Sequence, residues 1–568
     1  MKDIYTFAYV YSYTKEHSEM TAQVFNKFVH TNVLNPMKFI SLRNMEVEVV
    51  AMAASMFNGD ESFTGSVSSG GSESILLAMK SYRDYYRKNH PGCDYKPEVI
   101  MCETAHPAFH KAFQLFDIQP VIIKMDQNYK MRIDETKKAI NKRTCCIIVS
   151  APAYPHGIMD PIPEIAEIGY QANIPVHVDS AIGGFYLPWL KKLGIAIPDF
   201  DFKNRGVTSI NADTHKYGFA PKGSSVVIYR NPEVRVCQFS TYGEWCGGLY
   251  VSPTLLGTRN GGPIAAAWAS LVGMGQSGFI DATKKTLEVA NEIKEAVKQI
   301  PEIDLVGEPK GIILAIQSKD KSKFNIYHLA DALETLGYSI ERQANPDSIH
   351  CTIMMQHYYN KGAFVEDLKK CVQLVRDDPK KYAGSESSAA MYGMLGQIPD
   401  GAIVEDFLAK FLDQYVQAEI AVSNILNGYK SEFSGNLVII PKIGFGFHTC
   451  EKVSNKAEEF NELVKQNVIE EFQDNFYLIQ FSKLDGPSIQ NYDKQSITMS
   501  FPIIKELAKG YSLVVKVQEE ERILMEFESL MDVIGNDDMR NFDNDTQQVY
   551  FNEMSNIIKQ QACLRQDL

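Results

Sequence analysis

The chain has 568 residues and a mass of 63.9 kDa, which as a prior suggests three or four domain-sized units. It is 45% hydrophobic and 22% charged, with 37 Gly and 24 Pro spread along it, an ordinary globular composition that excludes collagenous and low-complexity classes. The net charge is −13, and from Val416 onward 14 basic residues face 24 acidic ones, so the tail would repel nucleic-acid phosphates.

No uncharged apolar run approaches the ~18 residues a bilayer crossing needs, and Met1 to Tyr5 lacks the apolar stretch of a secretory signal. A soluble, cytoplasmic protein is the expectation. The ten Cys include no C-x-x-C pair and no zinc-finger spacing, which points to reduced thiols and no metal site. Cys145 and Cys146, adjacent in an apolar run, are expected on opposite faces of a strand.

From residue 65 to 230, short apolar runs alternate with helical patterns. Ser72 to Lys88 places Ile75, Met79, Tyr82 and Tyr86 on one helical face. Runs at Val99–Met101, Val121–Ile123, Cys145–Val149 and Val176–Val178 read as parallel strands covered on both faces, with a helix over Glu164 to Ala172 between two of them. This alternation predicts an open α/β sheet with ligands at the carboxyl ends of its strands. Phe279 to Gln299 predicts a long amphipathic helix, and Ile303 to Gln417 a smaller α+β domain with a strand over Ile312–Ile316. Beyond Gln417, strands are predicted at Leu437–Ile440, Phe476–Ile479 and Ser512–Val517, and a helix over Glu519 to Val533.

Four stretches carry chemistry. Ser69-Gly70-Gly71-Ser72-Glu73 precedes a helix start, where glycines admit an anion close to the backbone and free N–H groups favour a phosphate. Asp179, ending the run His177-Val178-Asp179, can hold a ring nitrogen protonated. Lys216, within Asp213 to Gly223, can form a Schiff base with an aldehyde cofactor. His106, after the Val99 strand, can stack on a planar ring. Each alone has an ordinary structural alternative: a turn and cap, a strand-end Asp, a solvated Lys, a structural His. In this order on an α/β sheet, phosphate grip, stacking His, ring-nitrogen Asp and cofactor Lys point to pyridoxal phosphate.

With those residues in place the chain resembles the sphingosine-1-phosphate lyases, within the fold-type I, group II decarboxylase-like pyridoxal-phosphate enzymes. The resemblance runs from about Tyr11 to Gln417. It rests on Leu42 to Glu48, Phe57-Asn58-Gly59, Ser68 to Leu76, Ser81 to Asp84, Pro155-His156-Gly157, His177 to Asp179, Ala212 to Gly223, Gly247 to Thr254, Gly257-Thr258-Arg259 and Tyr392-Gly393-Met394. It implies an aspartate-aminotransferase-type large domain over residues 51–300 with a mostly parallel sheet, and a smaller α+β domain over 301–417. Residues 1–50 would contribute to a dimer and its active site, and 418–568 would be an acidic extension of its own.

The resemblance further implies the site. Lys216 would bind the cofactor covalently, Asp179 would pair with the pyridinium nitrogen and His106 would stack on the ring. Gly71, Ser72 and His215 would hold the cofactor phosphate, joined by Thr258 from the second subunit of a homodimer. Lys222 would assist substrate-phosphate binding and the proton transfers, and Tyr11, Asn32, Asn35 and Tyr154 would line the substrate pocket. Asn35 stands where the family carries His, Phe7-Ala8-Tyr9-Val10 replaces the family's Ser-Gly before Tyr11, and Tyr154 replaces Phe of some relatives. The membrane anchor of eukaryotic relatives is not expected here.

The implied activity is retro-aldol cleavage of a phosphorylated sphingoid base to a long-chain aldehyde and phosphoethanolamine. The competing readings are an amino-acid decarboxylase on the same fold and a catalytically dead binding protein. The tail is either an appendage packed on the enzyme or an interaction module.

Overall fold

The structure, a computed structural model, describes residues 5–35, 37–382, 404–406, 408–410 and 412, and the backbone of 437–441, 476–483, 511–517 and 520–526. The chain divides into two compact units, Lys2–Gln397 and Ile398–Leu568 with Met1.

Two helices open the first unit, α1 (Lys15–Phe28) and α2 (Ile40–Met56). The hydroxyl of Thr14 accepts the His17 N–H and caps α1. Then strand and helix alternate as the apolar runs predict: β1 (Thr64–Ser68), α3 (Gly71–Asn89), β2 (Glu98–Cys102), α4 (Ala108–Phe116), β3 (Gln119–Ile123), α5 (Ile133–Ala139), β4 (Thr144–Ser150), α6 (Ile162–Ala172), β5 (Val176–Asp179), α7 (Leu187–Lys192), β6 (Val207–Ala212) and β7 (Ser225–Tyr229).

These strands form one seven-stranded sheet in the order β1-β7-β6-β5-β4-β2-β3. The run from β6 to β3 is parallel, while β7 is antiparallel to both β6 and β1. Two reversals return β1 to the direction of β6. The carboxyl ends of β1, β2, β4, β5 and β6, and the start of β7, therefore share one edge of the sheet.

Every residue of β2, β4 and β5 is buried. Ile147 and Val149 enter one hydrophobic cluster and Cys146 and Ile148 another, as strands covered on both faces require. The expectation for the two cysteines fails in detail. Glu98 pairs with Thr144 but Val99 with Cys146, so Cys145 is the extra residue of a bulge, and both thiols lie in the same cluster. Burial pushes the Cys145 thiol up to about 12, and the eight cysteines among the described residues are free.

After β7 come α8 (Pro232–Val236), an antiparallel hairpin of β8 (Ser240–Tyr242) and β9 (Tyr250–Ser252), and the long α9 (Gly261–Gln299). The predicted helix from Phe279 is only the second half of α9. The first half is rich in Gly and Ala, which hides an amphipathic period, and Gly275 at φ +53° breaks the two apart. An antiparallel sheet follows in the order β10-β11-β13-β12, from β10 (Ile303–Leu305), β11 (Ile313–Ser318), α10 (Ile326–Glu334), β12 (Glu341–Gln343) and β13 (Ser348–Thr352), succeeded by α11 (Met355–Tyr359) and α12 (Ala363–Asp377).

The amino-terminal segment is docked on this smaller sheet. Thr6 bridges Ser339, and the Thr352 N–H donates to the Phe7 carbonyl. Phe7 is fully buried, stacked on His357 at 4.1 Å and packed on Phe364 at 4.4 Å.

In the second unit, β14 (Leu437–Pro441), β15 (Phe476–Lys483), β16 (Tyr511–Val517) and β17 (Glu520–Glu526) make an antiparallel sheet. The predicted strands are there, but the helix expected over Glu519 to Val533 is not: its described part is β17, whose Ile523 pairs with Val514 and Arg522 with Val515. Glu, Arg, Leu and Met favour helix in isolation, yet the β-branched strand beside them offers a ladder, and pairing overrides propensity. Among the described residues no helix is long and apolar enough to cross a membrane, and no group of His, Cys, Asp and Glu could hold a metal. Tyr392-Gly393-Met394 lies outside the described residues.

Candidate active site

The shared sheet edge gathers the predicted chemistry. Ser69-Gly70-Gly71 leads from β1 into α3. His106 follows β2, Tyr154 follows β4 and Asp179 ends β5. Asp213 to Gly223 links β6 to β7.

The glycine turn and the lysine loop meet directly. A Cβ on Gly71 would stand 2.7 Å from both carboxylate oxygens of Asp213, and one on Gly70 would stand 3.3 Å from His215 Cε1. Asp213 is 2% exposed. Its Oδ2 lies 2.9 Å from Lys216 Nζ and 3.6 Å from His215 Nε2, while its Oδ1 has no hydrogen-bond partner. Burial pulls the His215 imidazole down, with Asp213 opposing. Glu73 fixes the turn by accepting the Ser69 and Leu255 N–H groups at 2.6 and 3.1 Å.

Asp179 is oriented from behind. Its Oδ1 accepts the Ala181 N–H and the Asn211 side-chain amide, each at 3.0 Å. The Asn211 Oδ1 in turn faces His177 Nε2 at 2.9 Å, and His177 Nδ1 faces Ser209 Oγ at 2.7 Å. Burial pulls His177 down to about 4. The neutral ring therefore donates from Nε2 to Asn211, and Asn211 donates to Asp179. Among the described residues Asp179 Oδ2 accepts no hydrogen bond, which leaves it for a cationic N–H. The relay was not read from the sequence, although Ser209 and Asn211 alternate on β6 beside His177 and Asp179, and that period-two spacing was its trace.

Lys222 lies near Lys216 and, among the described residues, has no ion-pair partner. Its ammonium sits 4.7 Å above the Tyr11 ring, and burial first, then the Lys216 charge, pulls its amine down to about 8. Tyr11 packs edge-on against Tyr217 at 5.3 Å; burial and Asp213 hold its phenol well above the usual range. Tyr154 is stacked on His350 of β13 at 4.2 Å, and its loop is gripped by Gln343, whose amide donates to the Pro155 carbonyl at 2.7 Å.

Other predicted residues stand apart. His106 is exposed, its Nδ1 accepting the Ala108 N–H. Asn32 donates to Thr258 Oγ1 at 3.3 Å and accepts the Leu34 and Arg259 N–H groups. Asn35 closes a turn by accepting the Met37 N–H. Among the described residues, no hydrogen bond or ring contact joins these four to Lys216, His215 or Lys222 of the same chain.

Beneath Asn32 and Thr258 lies a pair that the sequence reading did not single out. Arg259, 7% exposed, meets both oxygens of Glu46 at 2.8 and 2.9 Å and also donates to the Val67 carbonyl. It ties α2 to β1 just before the glycine turn. Removing one member of a buried pair leaves the other charge uncompensated, at a cost of about 3–5 kcal/mol. Arg259→Ala is therefore expected to lower the melting temperature of the cofactor-free protein and to weaken cofactor binding; an unchanged melt would show the pair to be dispensable.

The residues fit a phosphorylated pyridoxal aldehyde. The first N–H groups of α3 are unpaired within the helix, Gly71 brings no side chain of its own to the turn, Asp179 Oδ2 has no hydrogen-bond partner among the described residues, and Lys216 carries the amine. Fold and site thus define a pyridoxal-phosphate enzyme of the α/β class. The model of the pyridoxal-dependent decarboxylase conserved domain matches residues 4–316. The chain is 40% identical to the Arabidopsis thaliana sphingosine-1-phosphate lyase, over 70% of this chain and 73% of the relative. It is 38% identical to the Mus musculus sphingosine-1-phosphate lyase 1, over 74% and 73%. Among solved structures, the Burkholderia pseudomallei sphingosine-1-phosphate lyase superposes with a TM-score of 0.63 at 33% identity, over 70% of this chain and 90% of that one. The Lactobacillus brevis glutamate decarboxylase, at 19% identity and a TM-score of 0.60 over 66% and 89%, shares the fold. The chain belongs to the pyridoxal-dependent decarboxylase family and, within it, to the sphingosine-1-phosphate lyases.

Proposed function

We propose that this chain cleaves phosphorylated sphingoid bases by a retro-aldol reaction, releasing a long-chain aldehyde and phosphoethanolamine. The observation that carries the reading is a second amine, Lys222, six positions past Lys216 and pulled down to about 8, in a chain whose relatives at 35–40% identity are lyases of this substrate class. Pyridoxal 5'-phosphate supplies the electron sink for the pair released when the carbon–carbon bond breaks. The α3 start, Ser72 and His215 hold its phosphate. The Asp179 carboxylate, aimed by Asn211, keeps a cationic ring N–H in place, a preorganised charge of the kind that often contributes most to catalysis. Lys222 Nζ, partly neutral near pH 8, accepts the proton of the substrate hydroxyl. Tyr11 and Tyr154 line the substrate head, and Asn32 and Asn35 reach it from a second copy of the chain.

A homodimer completes the site in this reading. Among the described residues no hydrogen bond or ring contact joins Asn32 or Thr258 to their own lysine loop, which suits them to serve a neighbour's. The surface around them has the character of an interface: a cavity of ≈ 810 Å³ lies between α2, β1 and the β8–β9 hairpin, and Val47, Trp245, Leu249 and Val251 are exposed beside it. A second copy of the chain is its proposed occupant. The free cysteines fit a reducing, cytoplasmic setting.

The deciding assay supplies a sphingoid phosphate and, separately, aromatic and acidic amino acids, and measures aldehyde against carbon dioxide. Aldehyde from the lipid is expected; carbon dioxide from an amino acid would favour the decarboxylase reading. Light scattering on the same sample is expected to give twice 63.9 kDa, and a fully active monomer would remove the second copy from the site.

A further inference from the structure

Among the described residues this loop sets two amines, Lys216 and Lys222, beside one ion-pairing carboxylate. The carboxylate is Asp213, and its position is specific. It pairs with Lys216 at 2.9 Å and leaves Lys222 without an ion-pair partner among the described residues. Its other oxygen is buried and unpartnered against Gly71. A buried carboxylate held by one cation is costly to strand.

Covalent capture strands it. When the neutral amine of Lys216 condenses with an aldehyde, the carbon–oxygen double bond is replaced by carbon–nitrogen, and two nitrogen-bound hydrogens leave with the oxygen as water. The nitrogen of the neutral product then carries no N–H for Asp213. The next donor is His215 Nε2, at 3.6 Å. When a substrate amine takes over the same carbon, the exchange runs in reverse: two hydrogens return to the Lys216 nitrogen, which can again become an ammonium.

We propose that Asp213 is a positioning residue that receives Lys216 whenever its amine is free, so that it opposes capture of the cofactor aldehyde and favours release of the lysine to the incoming substrate amine. The inference rests on the reading of Lys216 as the cofactor lysine. Its sign separates it from a merely structural role. Damage to the site would slow capture, whereas loss of a parking partner speeds it.

The test uses the cofactor-free full-length chain and pyridoxal, which lacks the phosphate and so does not engage the α3 cradle. The rate of capture is followed by absorbance and confirmed by borohydride reduction and peptide mass. Asp213→Asn is expected to capture pyridoxal about tenfold faster than the parent, the equivalent of ~1.4 kcal/mol. In the pyridoxal-5'-phosphate form, displacement of Lys216 by phosphoethanolamine, which offers an amine but no bond to cleave, is expected to weaken by a similar factor. Gly71→Ala gives a second route, because its methyl would displace the carboxylate without changing its charge; faster pyridoxal capture is expected there too. If Asp213→Asn fails to fold, the Gly71 variant decides. Equal or slower capture in a folded variant overturns the role of Asp213. Absence of any modified Lys216 in the parent chain treated with pyridoxal 5'-phosphate would instead overturn the reading of the site.

Discussion

Lys216→Ala is expected to abolish turnover, by at least ~10³-fold, the scale on which removal of a covalent catalytic group is felt. Three measurements should move together: the absorbance of the attached cofactor, borohydride fixation of the cofactor to the protein, and aldehyde release. The variant should stay folded, because among the described residues Lys216 Nζ makes a single bond, to Asp213, and the loop is held by other contacts. Thr214 Oγ1 donates to Ser224 Oγ at 2.7 Å, the Ser270 hydroxyl donates to the Gly218 carbonyl at 2.6 Å, and the Tyr217 hydroxyl donates to the Ile353 carbonyl at 2.7 Å. A variant that kept both the fixed cofactor and turnover would take Lys216 out of the chemistry. One that lost only the fixation would show that the lysine organises the site without serving the reaction.

Lys222→Ala should leave cofactor capture intact and lower kcat by about 10²–10³-fold, within the range of general acid–base groups. The pH dependence carries more information. The Lys222 amine is pulled down to about 8 by burial and by the neighbouring Lys216 charge. A group that accepts a proton works in its neutral form, so activity of the parent should rise as pH increases through about 8. That limb should vanish in the Ala variant. Lys222→Arg discriminates further, because a guanidinium keeps its charge throughout this range and cannot act as a base. It is expected to be as inactive as Ala. Recovery of activity with Arg would mean that Lys222 serves as a fixed charge, for example against the substrate phosphate, and the proton acceptor would lie elsewhere.

Most of the large sheet was legible because its interior strands are continuous apolar runs with helical punctuation between them, a pattern set by burial on both faces. What escaped notice did so for local reasons. The bulge at Cys145 changes one strand's facing by inserting a residue, and no side-chain pattern announces that. The first half of α9 lacks a polar face. The strand at Glu520–Glu526 is made of helix formers and exists through its partner.

The site divides the same way. Lys216, Asp179, His106, Gly71 and Ser72 stand in short contiguous motifs, so residue type and order alone nominate them for one cofactor, while His215 entered on resemblance. Tyr11 entered on resemblance against an altered preceding segment; the burial of Phe7 beside His357 and Phe364 is what holds that strap so that Tyr11 lies under Lys222. Asp213, Asn211, His177, Glu46 and Arg259 act through partners 3 to 213 positions away in the chain, and pairing at such separations is decided by register and strand order. The amino-acid order determined the family and the cofactor chemistry and nominated the amine for it, because those depend on which groups are present. Only the folded sheet decided which carboxylate faces which amine and which ring nitrogen is a donor, because charge and hydrogen bonding act over a few ångströms and those distances are set by tertiary packing.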